Sequence, residues 1–342
     1  MSPAIAAFLV QDGLVNGAIY ALLALCLVLV FAVTRIVLIP QGEFVAFGAL
    51  SYASFADGQV PSVLPVLAAL SLAAFFVGLA GVPRGEERPL AMATLGVPAV
   101  VIIACLLLTP LRLGRWMDAI LAIAVVAPMA PLIYRIAFQP LAGASTLVLL
   151  IAAVGVHLAM TGVGLLAFGA EGTRGPAFSS GAVTLGVLSI SFQQIWVVAT
   201  ALLVMAALAL FFAATLTGRA LRATAINRVG ARLVGIEPAA AGRRAFAMAG
   251  LIGAASGVLL SPLTTVYYDS GFLIGLKGFV AAIFGGMAVY PLAAIAAFGV
   301  GLVESFASFW ASPFKEAIVF ATIIPVLIWL TFASDTAGED EG

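Results

Sequence analysis

The chain is a succession of apolar runs, each close to the length that crosses a bilayer, with very few charges inside them. They fall at 14–33, 36–55, 63–82, 90–109, 117–134, 146–168, 190–216, 246–263, 276–310 and 317–332. A hydrocarbon core of about 30 Å takes around 20 apolar residues as a helix. Inside it only helices and closed barrels satisfy their own backbone groups. Barrel strands alternate apolar and polar residues over short segments, and these runs do not. With 64% hydrophobic and 9% charged residues, the chain sits far from soluble domains, which carry roughly 25% charged residues. The expected fold is an all-α polytopic membrane protein, one domain over 1–342, with about ten transmembrane elements. The run 276–310 is too long for one crossing and short for two. It contains Gly285-Gly286 and Pro291, so broken helices are expected there.

Charge sets the orientation. Residues 218–245 hold six arginines, Arg219, Arg222, Arg228, Arg232, Arg243 and Arg244, against one acid, Glu237. By the positive-inside rule this basic loop is cytoplasmic, which brings Arg35, Arg84, Arg88 and Arg135 to the same side and the N-terminus outside. Arg112 and Arg115 sit against the rule. The Gly-, Ser- and Thr-rich stretch 175–191 reads as an outer loop with a short interfacial element. The N-terminus lacks a basic region ahead of its first apolar run, so 14–33 reads as a retained helix rather than a signal peptide. With fifteen residues of each sign, nothing points to nucleic acid.

Chemistry-bearing residues are sparse. Cys26 and Cys105 fall inside apolar runs and read as small buried hydrophobes. His157 is the lone histidine, which argues against a multi-histidine metal site. There is no phosphate loop of the GxxxxGK[ST] kind and no serine–histidine–acid arrangement. No metal, cofactor or enzymatic activity is expected, so any ATP-driven step would need an ATPase on another chain. Glu43 follows Pro40-Gln41-Gly42 and has two readings: a carboxylate beside a translocation path, or an interfacial residue favoured by a helix N-terminus. Lys277 and Glu304 read as side chains that snorkel toward headgroups. Gly253 and Gly257 give a small face for close helix approach. In the basic segment Leu221, Ala225, Val229 and Leu233 recur every four residues, yet the arginines do not share the opposite face. A short helix ending near the turn at 235–238, or one interrupted at Gly230, accounts for that.

Several stretches, in collinear order, resemble one family. GRALRATAINRVGARLVGI followed by AFAMAGLIGAASGVLLSP, then GLKGFVAAIFGGMAVYPLAA, and upstream VNGAIYALLALCLVLVFAVTRIVLIPQGEFVAFGAL and FQPLAGASTLVLLIAAVG, resemble the high-affinity branched-chain amino acid ABC-transporter permeases. Residues carrying the likeness include Gly218-Arg219, Arg222-Ala223, Gly235-Ile236, Lys277, Gly285-Gly286, Asn16-Gly17 and Gly42-Glu43. The family's N-F-A-H-G-E motif is here Leu38-Ile39-Pro40-Gln41-Gly42-Glu43, without the asparagine and histidine. The chain also carries an extra helix pair within about 57–134, and an acidic tail, 333–342, replaces the usual C-terminus.

The resemblance implies an ABC importer permease fold in a bacterial inner membrane. The implied partners are cytoplasmic ABC ATPase subunits, a second permease subunit, homologous or identical, a periplasmic solute-binding protein and the lipid bilayer. Cargo would be branched-chain amino acids or a related small polar solute. ATPase coupling is expected at Arg219, Arg222, Arg228, Arg232 and Gly235, with the turn at 285–291 a second contact. The translocation pathway is expected at Gln41, Gly42, Glu43, Gly285 and Gly286. The competing class is an ion- or proton-coupled secondary transporter using Glu43 or Glu304.

Overall fold

The computed structural model describes residues 2–80, 88–186 and 188–328. The charged segment around Arg84 and the acidic tail, 333–342, lie outside these residues.

The first helix, α1 (Pro3–Thr34), opens well before the apolar run at 14–33, with Ser2 accepting from the Ile5 N–H. Polar residues that interrupt the apolar pattern find partners, so the helix continues through them. Gln11 Nε2 donates to the Ser189 carbonyl and to Gln194, and Asp12 accepts from Asn16 and Ser305. There follow α2 (Gln41–Ala56), α3 (Leu64–Ala80), α4 (Arg88–Leu108), α5 (Arg115–Val126), α6 (Met129–Ile133) and α7 (Thr146–Phe168). Through a π turn at Tyr134–Phe138, α5 and α6 form one membrane-length unit, Arg115–Leu141. Pro128 and Pro131 remove donors from its ladder.

The outer-loop stretch is a two-stranded antiparallel hairpin, β1 (Ala182–Leu185) and β2 (Leu188–Ser191), with Ala182 opposite Ser191. Ser191 then caps α8 (Phe192–Ala214) in a reciprocal box with Gln194. Next come α9 (Leu216–Ile226), α10 (Arg228–Leu233) and α11 (Pro238–Leu260). The ambiguous run 276–310 resolves into α12 (Ser270–Phe284) and α13 (Tyr290–Trp310), and α14 (Lys315–Ala321) follows. The turn between α12 and α13 carries Gly286 at φ 59° and Met287 at φ 55°. Seven helices among the described residues are long and apolar enough to cross a membrane, and α3 and α12 are shorter apolar ones. The chain is an all-α polytopic membrane protein, as its apolar runs require.

α1 is the centre of the bundle and packs on α13, α11, α12 and α8. Its contact with α13 is backbone to backbone. A Cβ on Gly17 would fall 2.7 Å from the Phe298 Cα, and one on Gly13 would fall 2.8 Å from the Leu302 Cα. From the other side, a Cβ on Gly301 would overlap the Gly13 carbonyl. A second seam joins α2 to α11, where a Cβ on Gly257 would overlap the Val45 carbonyl. Lipid tails are as apolar as the helices, so such close van der Waals packing is what holds the bundle together.

The two arginines that defied the charge rule have local work at one end of the bundle. Arg112 donates to the Asp57 carbonyl at 3.4 Å and Arg115 to the Ala177 carbonyl at 2.5 Å. Trp116 stacks on Phe178 at 4.9 Å and meets Trp196 edge-on at 5.0 Å. That cluster has the character of an aromatic belt. Helices α9 and α10 lie at the opposite end.

The seams give a direct expectation. Gly301→Leu should lower the thermal midpoint in detergent by the equivalent of about 1–3 kcal/mol, the usual cost of overpacking. Gly299→Leu, at a position with nothing within 4 Å of a new Cβ, should leave it unchanged. Equal effects at the two sites would contradict the seam.

Candidate functional site at a buried helix junction

Two helices begin inside the bundle instead of at its ends. Gln41, first residue of α2, donates through Nε2 to the Ala249 carbonyl at 3.1 Å, and Ala249 is halfway along α11. The start of α12 meets the start of α2 there. A Cβ on Gly42 would overlap the Gly271 carbonyl, and one on Gly275 would fall 2.9 Å from the Gly42 nitrogen. Only glycine allows two helix starts to approach this closely. Neither has a side-chain cap: the cap positions are Pro40 and Asp269, without cap hydrogen bonds. Helix N-termini carry unpaired N–H groups and a partial positive charge, so the junction favours an anion.

Glu43 stands in this junction, wholly buried. One carboxylate oxygen, Oε1, lies 2.8 Å from His157 Nδ1 on α7, and the His157 ring rests against Phe272 of α12 at 4.8 Å. The other oxygen, Oε2, is buried without a hydrogen-bond partner, as is Gln41 Oε1. A Cβ on Gly271 would come within 2.7 Å of that free Oε2. The interfacial reading of Glu43 is thereby replaced: the residue does start a helix, but the helix starts in the interior.

No sequence motif marks His157, because nothing adjacent to it carries a signal. In the resembling motif a histidine stands two positions before the glutamate, where this chain has Gln41. Here α7 brings an imidazole to the glutamate instead. The available signal was physical: an ionisable side chain in mid-membrane is a functional candidate by default and needs a partner.

A second buried polar cluster braces α12. Lys277 Nζ lies 2.5 Å from Glu304 Oε1 and 3.1 Å from Glu316 Oε1, while the Tyr20 hydroxyl donates to Glu304 Oε2 at 2.5 Å. Lys277 and Glu304 are both buried. The snorkelling expectation for these two fails, because each finds its counter-ion on the neighbouring helix and neither reaches toward a headgroup. The pair ties α12 to α13, and Tyr20 ties both to α1.

The basic segment forms two short helices. Gly218 fits against the Phe211–Phe212 backbone, where a Cβ on Gly218 would overlap the Phe211 carbonyl, and the Thr215 side chain caps α9 by accepting from the Gly218 N–H at 2.9 Å. The break falls at Asn227, whose Oδ1 accepts from Val229 and Gly230 N–H groups at 3.0 and 2.9 Å. The interruption is therefore an asparagine cap three residues ahead of Gly230. Leu221 is buried, but beyond the break the apolar stripe turns outward: Val229 is 70% and Leu233 84% exposed, and Ile226, just before the break, is 80% exposed. Arg219, Arg222 and Arg232 are exposed, Arg228 is half-buried, and Gly235 takes φ 83° in the turn that follows.

Of the expected pathway residues, the structure brings Gln41, Gly42 and Glu43 together and adds His157, Gly271 and Phe272. Gly285 and Gly286 lie at the far end of α12, about 20 Å along a helix of that length, in the turn beside Met287.

Membrane-length helices around two interior helix starts and a buried carboxylate define a membrane transport component. Residues 92–327 match the family described as "Branched-chain amino acid transport system / permease component", and the chain belongs to that family. It is 30% identical over 208 residues to the high-affinity branched-chain amino acid transport system permease protein BraD of Pseudomonas aeruginosa, covering 58% of this chain and 66% of the relative. It is 31% identical over 205 residues to the permease proteins LivH of Escherichia coli and of Salmonella typhimurium, covering 57% of this chain and 66% of each. The matched stretch thus spans just under two thirds of these relatives.

Unpairing a buried charge in this bundle should be costly. Lys277→Met is expected to destabilise the protein by about 3–5 kcal/mol, and adding Glu304→Gln to recover much of the loss. The check is thermal unfolding in detergent. A double variant no more stable than the single one would show that the pair does not act as a unit.

Proposed function

We propose that this chain is the inner-membrane permease subunit of an ABC importer and forms half of a translocation pathway for branched-chain amino acids or a related small polar solute. The observation that carries this reading is the junction itself. Two uncapped helix starts suit the carboxylate of an amino acid. The unpaired oxygens of Glu43 and Gln41 suit its ammonium. Family membership and the names of the relatives support the solute class. Gln41, Gly42 and Glu43, with His157, are the binding part of the pathway, and Gly285 and Gly286 form the turn at its exit.

The chain does no bond chemistry in this reading, and separate ATPase subunits drive it. Docking falls to Arg219, Arg222, Arg228, Arg232 and Gly235, supported by the exposed Ile226, Val229 and Leu233 beside them. Arginines around an exposed apolar patch are the composition of interface anchors. The second permease subunit and the periplasmic solute-binding protein complete the assembly. The basic end faces the cytoplasm and the N-terminus lies outside. The helix pair α3–α4, within about 57–134, is an addition to a single permease domain over 1–342.

Two measurements test this. Glu43→Gln should cut solute uptake about tenfold or more, the worth of a charged hydrogen bond in a buried site, while leaving ATPase association intact. Reversing charge at Arg222 and Arg228 together should release the ATPase in a pull-down. Uptake that survives loss of every partner ATPase, yet collapses with the proton gradient, would overturn the importer in favour of a secondary transporter using the Glu43–His157 pair.

A further inference from the structure

Helices α8 and α13 both pack on α1, and the surface along them widens into two separate apolar pockets. The widening nearer the hairpin has a volume of about 870 Å³, is walled by residues such as Val10, Val198 and Phe298, and carries no charged side chain. The widening at the basic end has a volume of about 780 Å³ and is walled by Leu25, Leu208, Phe212 and Ala294. It carries two cations, Arg35 and Arg222, and no acid.

Both guanidiniums lack a counter-ion among the described residues. Arg35 is held where it is by the backbone: it is the C-cap of α1 in a left-handed conformation, φ 60°, with its N–H donating to the Phe31 carbonyl. Its guanidinium lies 5.8 Å from the centre of the Phe31 ring. Arg222 projects from α9 on the other wall and is exposed. The two cations therefore stand in a pocket whose remaining lining is apolar apart from Tyr290.

We propose that the inner widening is a binding site for one anionic phospholipid, its phosphate between Arg35 and Arg222 and its acyl chains along α1 between α8 and α13. Basic pockets between transmembrane helices bind anionic headgroups in this way. The volume lies within the roughly 300–1,000 Å³ that holds a small ligand, here the headgroup and the first part of the chains. A peptide segment from a second copy or an ATPase suits the cleft poorly. Its backbone N–H and C=O groups would face walls of leucine, phenylalanine and alanine, whereas acyl chains have nothing to satisfy. The proposal does not depend on which solute the protein carries.

The test uses the full-length chain purified from mixed phosphatidylglycerol and phosphatidylcholine nanodiscs and released for native mass spectrometry. One phosphatidylglycerol should remain on each chain, and phosphatidylcholine should not. Arg35→Gln, at an exposed position outside the proposed pathway and docking residues, should weaken retention about tenfold, the worth of a charged hydrogen bond. Arg35→Lys should weaken it less. Ala209→Trp, which fills the cleft from an exposed position on α8, should abolish retention, and unchanged thermal midpoints will show that both variants fold. Equal retention of the two lipids, or retention of phosphatidylglycerol unaffected by Arg35→Gln, would overturn the proposal. So would protection of the cleft by a copurifying protein chain in place of lipid.

Discussion

Hydrocarbon offers no hydrogen bonds, so a helix that begins inside a membrane must be wrapped by other protein. Most of this architecture answers that constraint. Starts of α2 and α12 lie in the interior and are placed against each other, so close that Gly42 and Gly271 leave no room for a Cβ. The mid-section of α11 supplies a carbonyl to Gln41, α7 supplies His157 to Glu43, and α1 backs the whole group. A carboxylate costs ~2.5–3.5 kcal/mol at the centre of an inserting helix. Here the two helix starts that need wrapping turn their partially positive ends toward it. Site and fold are solutions to one problem.

The helices themselves were legible, because apolar length is nearly the whole signal in a bilayer. The breaking of the run 276–310 was legible too, from Gly285-Gly286 and Pro291. Pairings between distant segments were not. Glu43 drew attention through its own local motif, but its partner lies 114 residues away. Lys277 and Glu304 stand 27 residues apart, and a single charge in an apolar run is best accommodated by reaching outward. As a pair 2.5 Å apart they are accommodated inward, and nothing local in the sequence distinguishes the two outcomes. At the basic segment the arginines of α9 and α10 could not be placed on one face because there are two helices. Asn227 held the clue, as a cap preference that the four-residue apolar spacing around it obscured.

Polar contacts divide the bundle into tightly and loosely held parts. Between α1 and α13 a glycine seam is pinned by Asp12 to Ser305 and by Tyr20 to Glu304, and Lys277 adds α12 to the same block. Such a block resists both separation and sliding, since close backbones oppose the first and the buried polar pins oppose the second.

α7 is different. Only 22% of its apolar length is buried against the rest of the chain, as in α8. Among the described residues, the one side-chain hydrogen bond it makes to another helix is His157 to Glu43. This lightly covered wall of the junction is thus held by its tie to Glu43 together with the packing of Phe168 on Phe47 and of His157 on Phe272. A substitution that removes the Glu43 carboxylate therefore takes the polar tie of α7 with it.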